Sequence, residues 1–374
     1  MNMLASMNAN PIDELINGLV EAPALRRETL DGSFWHLVSL NRGELSPFFV
    51  LAPESLIGNF FDPTVDCWQV VNGRLCFSDQ NGIPSVVFNV ANMDGDKPKV
   101  LAGRGRIGGV SDIYLLIAAD HPAHPLFQPG ATANAGIQFL EQPSDGPRRP
   151  NLVVVPANSK SLHPHWFEGL QEDTRNWDLC VGYYGQEMPI VSSPFEYLVH
   201  LPKRKKFQLL SDLFFEASPL WNYDYIWLPD DDLLCNGIDV NRLFHLVRKF
   251  GLDLSQPSLV DGPNSFPNHP ITLQRPASIL RYEGFIEIMC PLFSQRALKI
   301  CAGSMKDVES GYGLDHLWPS FLGRPFSRMG IIDAVAVAHT RPIGATYNVG
   351  AAIAEQAALF RSYDYTPLQF DGVR

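Results

Sequence analysis

The sequence predicts an α/β domain built on a mainly parallel sheet, preceded by a small antiparallel β domain. Three observations carry this. Short β-type runs separated by turn signals crowd residues 33–141. A polar stretch rich in proline and glycine then fills 142–150. Beyond it, apolar strands alternate with amphipathic helices, the pattern of a parallel sheet covered by helices. The expected organisation is an N-terminal extension over 1–32, a β-rich domain over 33–141, a linker over 142–150 and an α/β domain over 151–374.

Composition bounds the function. With 374 residues, 45% hydrophobic and 18% charged, the chain has the size for two domains and the make-up of a globular enzyme. A net charge of −11 argues against nucleic acid as a general partner and against purely electrostatic binding to anionic membranes. Six cysteines (Cys67, Cys76, Cys180, Cys235, Cys290 and Cys301) show neither C-x-x-C nor zinc-ligand spacing. Most lie in apolar sequence and read as buried thiols rather than bridges, which fits a reducing, cytoplasmic compartment. Residues 1–10 lack the features of a signal peptide, and no window reaches transmembrane length. Peripheral membrane association stays open.

In chain order, 11–25 reads as an amphipathic helix, with Ile12, Leu15, Ile16 and Leu19 on one face. Strands follow at 35–40, 48–51, 67–71, 75–77, 85–88 and 114–117. The step from Val71 through Asn72-Gly73 to Arg74 has the residues of a type I′ hairpin. Such a set suggests an antiparallel barrel or sandwich. Trp35 and Trp68 could fill its core or stack on sugars. Gly103, Gly105 and Gly108 match G-x-G-x-x-G formally, but a strand follows them where a dinucleotide site needs a helix. A bulge or turn is the expected use.

After the linker come strands at 152–155 and 179–184, then a helix at 207–215 with Phe207, Leu210 and Phe214 on one face. A strand begins at Tyr225. The next helix bears Val240, Leu243, Phe244 and Val247, with Asp239 as its expected cap and Gly251 beyond its end.

The chemistry centres on the Tyr225 strand, where four apolar residues run into Pro229 and then Asp230, Asp231 and Asp232. Adjacent carboxylates repel unless a cation neutralises them. Oxygen ligands suit Mg²⁺ or Mn²⁺, and ligands of open α/β sheets bind at the carboxyl ends of strands. A solvated acidic turn is the competing reading. Asn158, Ser159 and Ser161, just past the first strand, are placed to contact a nucleotide or to form an ordinary βα loop with an N-cap serine. Lys206 closes a basic run that could reach a diphosphate or simply start a helix. Glu287 lies in an apolar stretch and needs a partner, either an ion pair or a sugar hydroxyl. In Gly311-Tyr312-Gly313-Leu314-Asp315-His316 the glycines allow close approach, and Asp315 could serve as general base. Tyr312 and His316 flank it on the expected acceptor side. His339 ends an apolar strand, where it could complete a metal site or merely cap the strand.

Together these residues resemble a glycosyltransferase-like family of plants and bacteria. Its members carry D-D-D, then V-E-I-M-A-P-x-F-S-R, G-W-G-L-D and V-V-D-x-x-x-V-x-H. Here the order runs from Asp230 through Asp232, to Ile286 through Gln295, to Gly311 through Asp315, to Ile331 through His339. Tyr312, Cys290 and Gln295 depart from the pattern. The resemblance covers about 151–344 and leaves the β-rich half aside. It implies a GT-A fold and a metal-dependent transferase, with a UDP-sugar as donor and a saccharide hydroxyl as acceptor. It also implies Mn²⁺ or Mg²⁺ on Asp232, with Asp230 and His339 beside it, Asp231 on the donor side, and Asp315 as an inverting base. A carbohydrate-binding scaffold and a metal-dependent phosphohydrolase or nucleotidyltransferase are the rival readings.

Overall fold

The structure is a computed structural model. It describes residues 18–363, apart from 52–54, 56, 59, 61, 63, 80, 120–136, 190, 307, 323–327, 343 and 345–346. The chain divides into two compact units, Met1–Phe127 with Ser320–Ser327, and Gln128–Pro319 with Arg328–Arg374.

Among its described residues the first unit is mainly β. Its strands are β1 (Val20–Glu21), β2 (Ser33–Ser39), β3 (Gly43–Leu51), β4 (Ile57–Gly58), β5 (Cys67–Val71), β6 (Arg74–Ser78), β7 (Pro84–Asp94), β8 (Lys97–Ile107) and β9 (Val110–Ala118). They form one antiparallel sheet in the order β4-β3-β2-β9-β8-β7-β6-β5, with β1 added to β7. The expected strands are all present. The expected antiparallel barrel or sandwich is met in part: among the described residues no pairing joins β4 to β5, and the sheet is an open half-barrel. Bulges in β2, β6 and β7 bend it around one core. That core holds Trp35, Phe49, Trp68, Phe77 and Phe88. Both tryptophans are buried, so neither offers a face to a sugar.

Local chemistry explains the turns. Asn72 and Gly73 have φ of 51° and 74°, the two positive values a type I′ turn requires, and Val71 pairs with Arg74. The G-x-G-x-x-G stretch lies in β8 and the turn to β9, with no helix after it. A Cβ at Gly103 would strike the Val87 carbonyl and one at Gly105 the Ser85 carbonyl. These glycines let two backbones meet. Gly103→Ala should therefore cost about 1–3 kcal/mol of stability, read as a lower melting temperature. Residues 11–17 of the expected N-terminal helix lie outside the described residues. The remainder is not helical, because Val20 and Glu21 pair with Ala91 and Val90 on β7.

The second unit contains β10 (Phe139–Glu141), β11 (Asn151–Ala157), β12 (Trp177–Tyr183), β13 (Tyr197–His200), β14 (Tyr225–Trp227), β15 (Leu233–Leu234), β16 (Leu254–Leu259), β17 (Arg281–Tyr282), β18 (Leu292–Ser294) and β19 (Met329–His339). Its helices are α1 (Lys206–Leu213), α2 (Gly237–Phe250), α3 (Gln295–Cys301), α4 (Leu314–Phe321) and α5 (Val349–Ser362). The sheet order is β10-β13-β12-β11-β14-β18-β16-β19-β15, with β17 on β19. Only part of it is parallel. β13, β12, β11 and β14 run together, as do β16 and β19. β18 lies antiparallel between β14 and β16, and β10, β15 and β17 are antiparallel edges. The expected mainly parallel sheet is thus a mixed one. Short apolar runs such as 292–294 reveal burial, not direction.

One further expectation changes. Asn236, not Asp239, caps α2: its side chain accepts from the Asp239 amide at 2.9 Å. Gly251 ends the helix at φ 61° as expected. The 142–150 stretch is anchored at its end: the Arg148 and Arg149 amides donate to Asp178, and the Arg149 guanidinium pairs with Asp178 and Glu196. No helix among the described residues is long and apolar enough to cross a membrane.

Candidate functional site

The acidic run leaves β14 under tight backbone control. Leu228 N–H donates to the Pro291 carbonyl at 2.9 Å and Asp230 N–H to Met289 at 2.8 Å. The Asp232 carbonyl accepts from the Thr340 amide and hydroxyl at 3.1 and 2.8 Å, and Leu233 pairs with His339. The run is thereby laced to the end of β19.

The three carboxylates then diverge. Asp230 accepts from Lys206 Nζ at 2.7 Å, and the same ammonium donates to the Ile288 and Met289 carbonyls at 2.8 and 2.9 Å. All three lysine donors are thus engaged. Asp231 accepts from the Tyr184 hydroxyl at 3.0 Å and from Arg341 Nη1 at 2.8 Å. Asp232 places Oδ2 3.4 Å from His339 Nε2 and 3.7 Å from Arg341 Nε, while its buried Oδ1 has no partner.

His339 is oriented from behind. Its Nδ1 lies 2.9 Å from the Phe266 carbonyl, which can only accept, so Nδ1 carries the proton and Nε2 faces Asp232. Burial lowers this histidine's pKa, but the Asp232 bond and the Phe266 carbonyl raise it more, and the net shift is upward. Burial also pushes Asp230 up; Lys206 pulls it down and Asp232 pushes it up again.

Ligand atoms of Asp230, Asp232 and His339 lie within 4.8 Å of one another. Two carboxylates and an imidazole held by a carbonyl make a donor set that fits a divalent cation. The unpartnered Asp232 Oδ1 supports that fit, because a buried carboxylate oxygen is costly to leave unpaired.

The loop after β11 closes on the other side of Asp231. Leu162 N–H donates to the Asp231 carbonyl at 2.7 Å, and Ser161 Oγ lies 2.7 Å from His163 Nδ1. Asn158 Nδ2 donates to the Tyr184 hydroxyl at 2.5 Å and its Oδ1 accepts from the Lys160 amide. Ser159 is exposed in that turn. Buried His163 has Nε2 without a partner, and burial drives its pKa down to about 4, so it is neutral.

Two more buried carboxyls complete the site. The Glu287 N–H donates to Gln256 Oε1 at 2.6 Å. One Glu287 carboxylate oxygen sits 4.0 Å from His269 Nε2, and the other has no partner. Burial, with the nearby Asp315 charge, pushes Glu287 up to about 8. Burial pushes Asp315 up to about 7, against the pull of backbone N–H groups that include His316 at 3.0 Å. Tyr312 and His316 face α5 and the segment before it. The Tyr312 hydroxyl bonds that of Tyr347 at 2.8 Å, and the His316 ring meets Phe285 and Phe360 edge-on.

The structure therefore brings together Asp230, Asp232 and His339, with Lys206, Asp231, Asn158 and Ser161 in contiguous contacts. Glu287 and Asp315 interact by charge. Sequence reasoning passed over Arg341, Tyr184, Gln256 and His269. Arg341 and Tyr184 carried a signal, since each is a polar-tipped residue just past an apolar strand. The other two carried none.

One family model matches the chain, described as Protein of unknown function (DUF707), over residues 208–283. That window includes the acidic run. No curated protein matches. Among solved structures, S. aureus TarS 1–349 is similar at 10% identity and a TM-score of 0.35, covering 58% of this chain and 66% of that one. Its complex with UDP-GlcNAc gives 9% identity, a TM-score of 0.38 and coverage of 58% and 68%. The UDP complex gives 8%, 0.35, 58% and 67%. The chain spans about two thirds of the length of these structures.

Proposed function

We propose that this chain is a metal-dependent glycosyltransferase that moves a sugar from a UDP-sugar to a hydroxyl of a saccharide acceptor. The observation that carries the reading is the Asp230–Asp232–His339 cluster, set in one unit with the buried carboxyls Asp315 and Glu287. The four motifs that resemble the glycosyltransferase-like family, all in order, support it.

Asp230, Asp232 and His339 would hold the cation. Bound there, it would supply Lewis-acid neutralisation of the departing diphosphate. Lys206 fixes Asp230, and the Phe266 carbonyl fixes the His339 tautomer. Asp231 anchors Arg341, whose side chain is 32% exposed and adds a second positive charge for the diphosphate. Asn158, Ser159 and Ser161 line the nucleotide side.

Asp315 takes the acceptor proton as that oxygen attacks the anomeric carbon. A single displacement inverts configuration. Glu287 stays protonated at neutral pH and donates a hydrogen bond to the acceptor, with Tyr312 and His316 on the same side. The test is release of UDP from UDP-glucose, UDP-galactose and UDP-N-acetylglucosamine with oligosaccharide acceptors, with and without Mn²⁺. Mn²⁺-dependent, acceptor-stimulated release is expected. Cleavage that ignores the acceptor and yields a nucleoside monophosphate would point to a phosphohydrolase instead.

A further inference from the structure

Most of α5 is exposed, yet one of its side chains is spent on the loop that leads to Asp315. The Glu355 carboxylate accepts from the Glu309 amide at 3.1 Å, the Ser310 amide at 3.0 Å, the Ser310 hydroxyl at 2.8 Å and the Gly311 amide at 3.3 Å. Three successive N–H groups converging on one anion fix the backbone between them.

This loop needs such fixing. Gly311 and Gly313 have φ of +80° and +96°, which glycine adopts readily but at the highest entropic cost of ordering. Other parts of α5 seal the same loop. A Cβ at Gly313 would come within 2.9 Å of the Phe360 ring, and the Phe360 and His316 rings meet at 5.7 Å. The backbone then enters α4 through bonds from Leu314 N–H to the Gly311 carbonyl at 3.1 Å and from Leu317 N–H to Gly313 at 3.0 Å. Asp315 lies in that first turn.

We propose that Glu355 is a positioning residue for Asp315, acting from α5 through the 309–313 loop to hold the carboxyl in its buried place. The inference rests on the assignment of Asp315 as the base. Ordinary helix docking would hold the three bonded amides and nothing further along. A positioning role must reach α4 and the Asp315 carboxyl itself.

The experiment compares wild type, Glu355→Gln and the control Ile353→Ser, an exposed position on the same helix. Amide hydrogen exchange and a carboxyl ¹³C titration of Asp315 are read in each. The neighbouring Glu287 and His316 are followed in the same titration. Glu355→Gln should speed exchange at Leu314, His316 and Leu317 about tenfold or more, although none of these amides bonds to Glu355. It should also lower the Asp315 midpoint toward the ordinary carboxylate range; Ile353→Ser should do neither. Faster exchange confined to Glu309, Ser310 and Gly311, with an unmoved Asp315 midpoint, would overturn the proposal. Glu355→Asp, which keeps the charge but withdraws it by one methylene, gives the same readouts if the glutamine variant does not fold. Neither readout needs substrate, so failure of sugar transfer would strike the function and leave the loop result standing.

Discussion

Asp232→Asn is expected to cut sugar transfer by about 10³-fold while leaving the metal-free protein at least as stable as wild type. The two halves of this expectation share a cause. Asp232 is buried with one oxygen unpaired, and its charge disfavours ionisation of Asp230. Such an arrangement costs stability until a cation arrives. The amide is nearly isosteric, so packing is kept and the repulsion falls. A large loss of melting temperature without metal would mean that Asp232 is structural, held for His339 and Arg341 alone. Stability retained with activity lost is the signature of a ligand.

Asp315→Asn is expected to lower kcat by about 10²–10⁴-fold with little change in donor affinity, the loss typical of a removed general base. Its pH dependence has a definite sign. A base must be a carboxylate, so with Asp315 in that role the wild-type rate should rise with pH through about 7 and level off above. Stability should run the other way. A carboxyl whose pKa is raised by folding binds its proton more tightly in the folded state. Its contribution is full below the ordinary carboxylate range and is lost as pH rises through about 7 for Asp315 and about 8 for Glu287. Melting temperature should therefore fall between pH 5 and 8 in the metal-free protein, and less steeply in Asp315→Asn. A wild-type rate that is flat across neutral pH would remove Asp315 from the role.

Much of this site was legible as residue types and little of it as geometry. The acidic run announced itself because three carboxylates after an apolar strand have few inexpensive arrangements in a protein. The sequence could not say which of the three was free. Asp231 is satisfied by Tyr184 and Arg341, both far away in sequence, while Asp232 keeps an unpaired oxygen. Lys206 shows the same limit: its basic run is visible, but the carbonyls of Ile288 and Met289 that absorb its donors are not. In the fold, alternation and turn chemistry located the strands of the first unit and the hairpin at Asn72-Gly73. Closure depends on pairing at sheet edges, which local pattern does not encode. Strand direction in the second unit is set by long connections, and so the antiparallel β18 escaped a reading based on apolar runs.

The proposed divalent cation on Asp230, Asp232 and His339 would serve a nucleotide diphosphate. It is tested most directly by Mn²⁺ titration, followed by electron paramagnetic resonance, with and without UDP, on wild type and Asp232→Asn. One Mn²⁺ should bind per wild-type chain, more tightly when UDP is present, and the variant should show neither effect. Mn²⁺ that ignores UDP, or that binds Asp232→Asn as well as wild type, would contradict it.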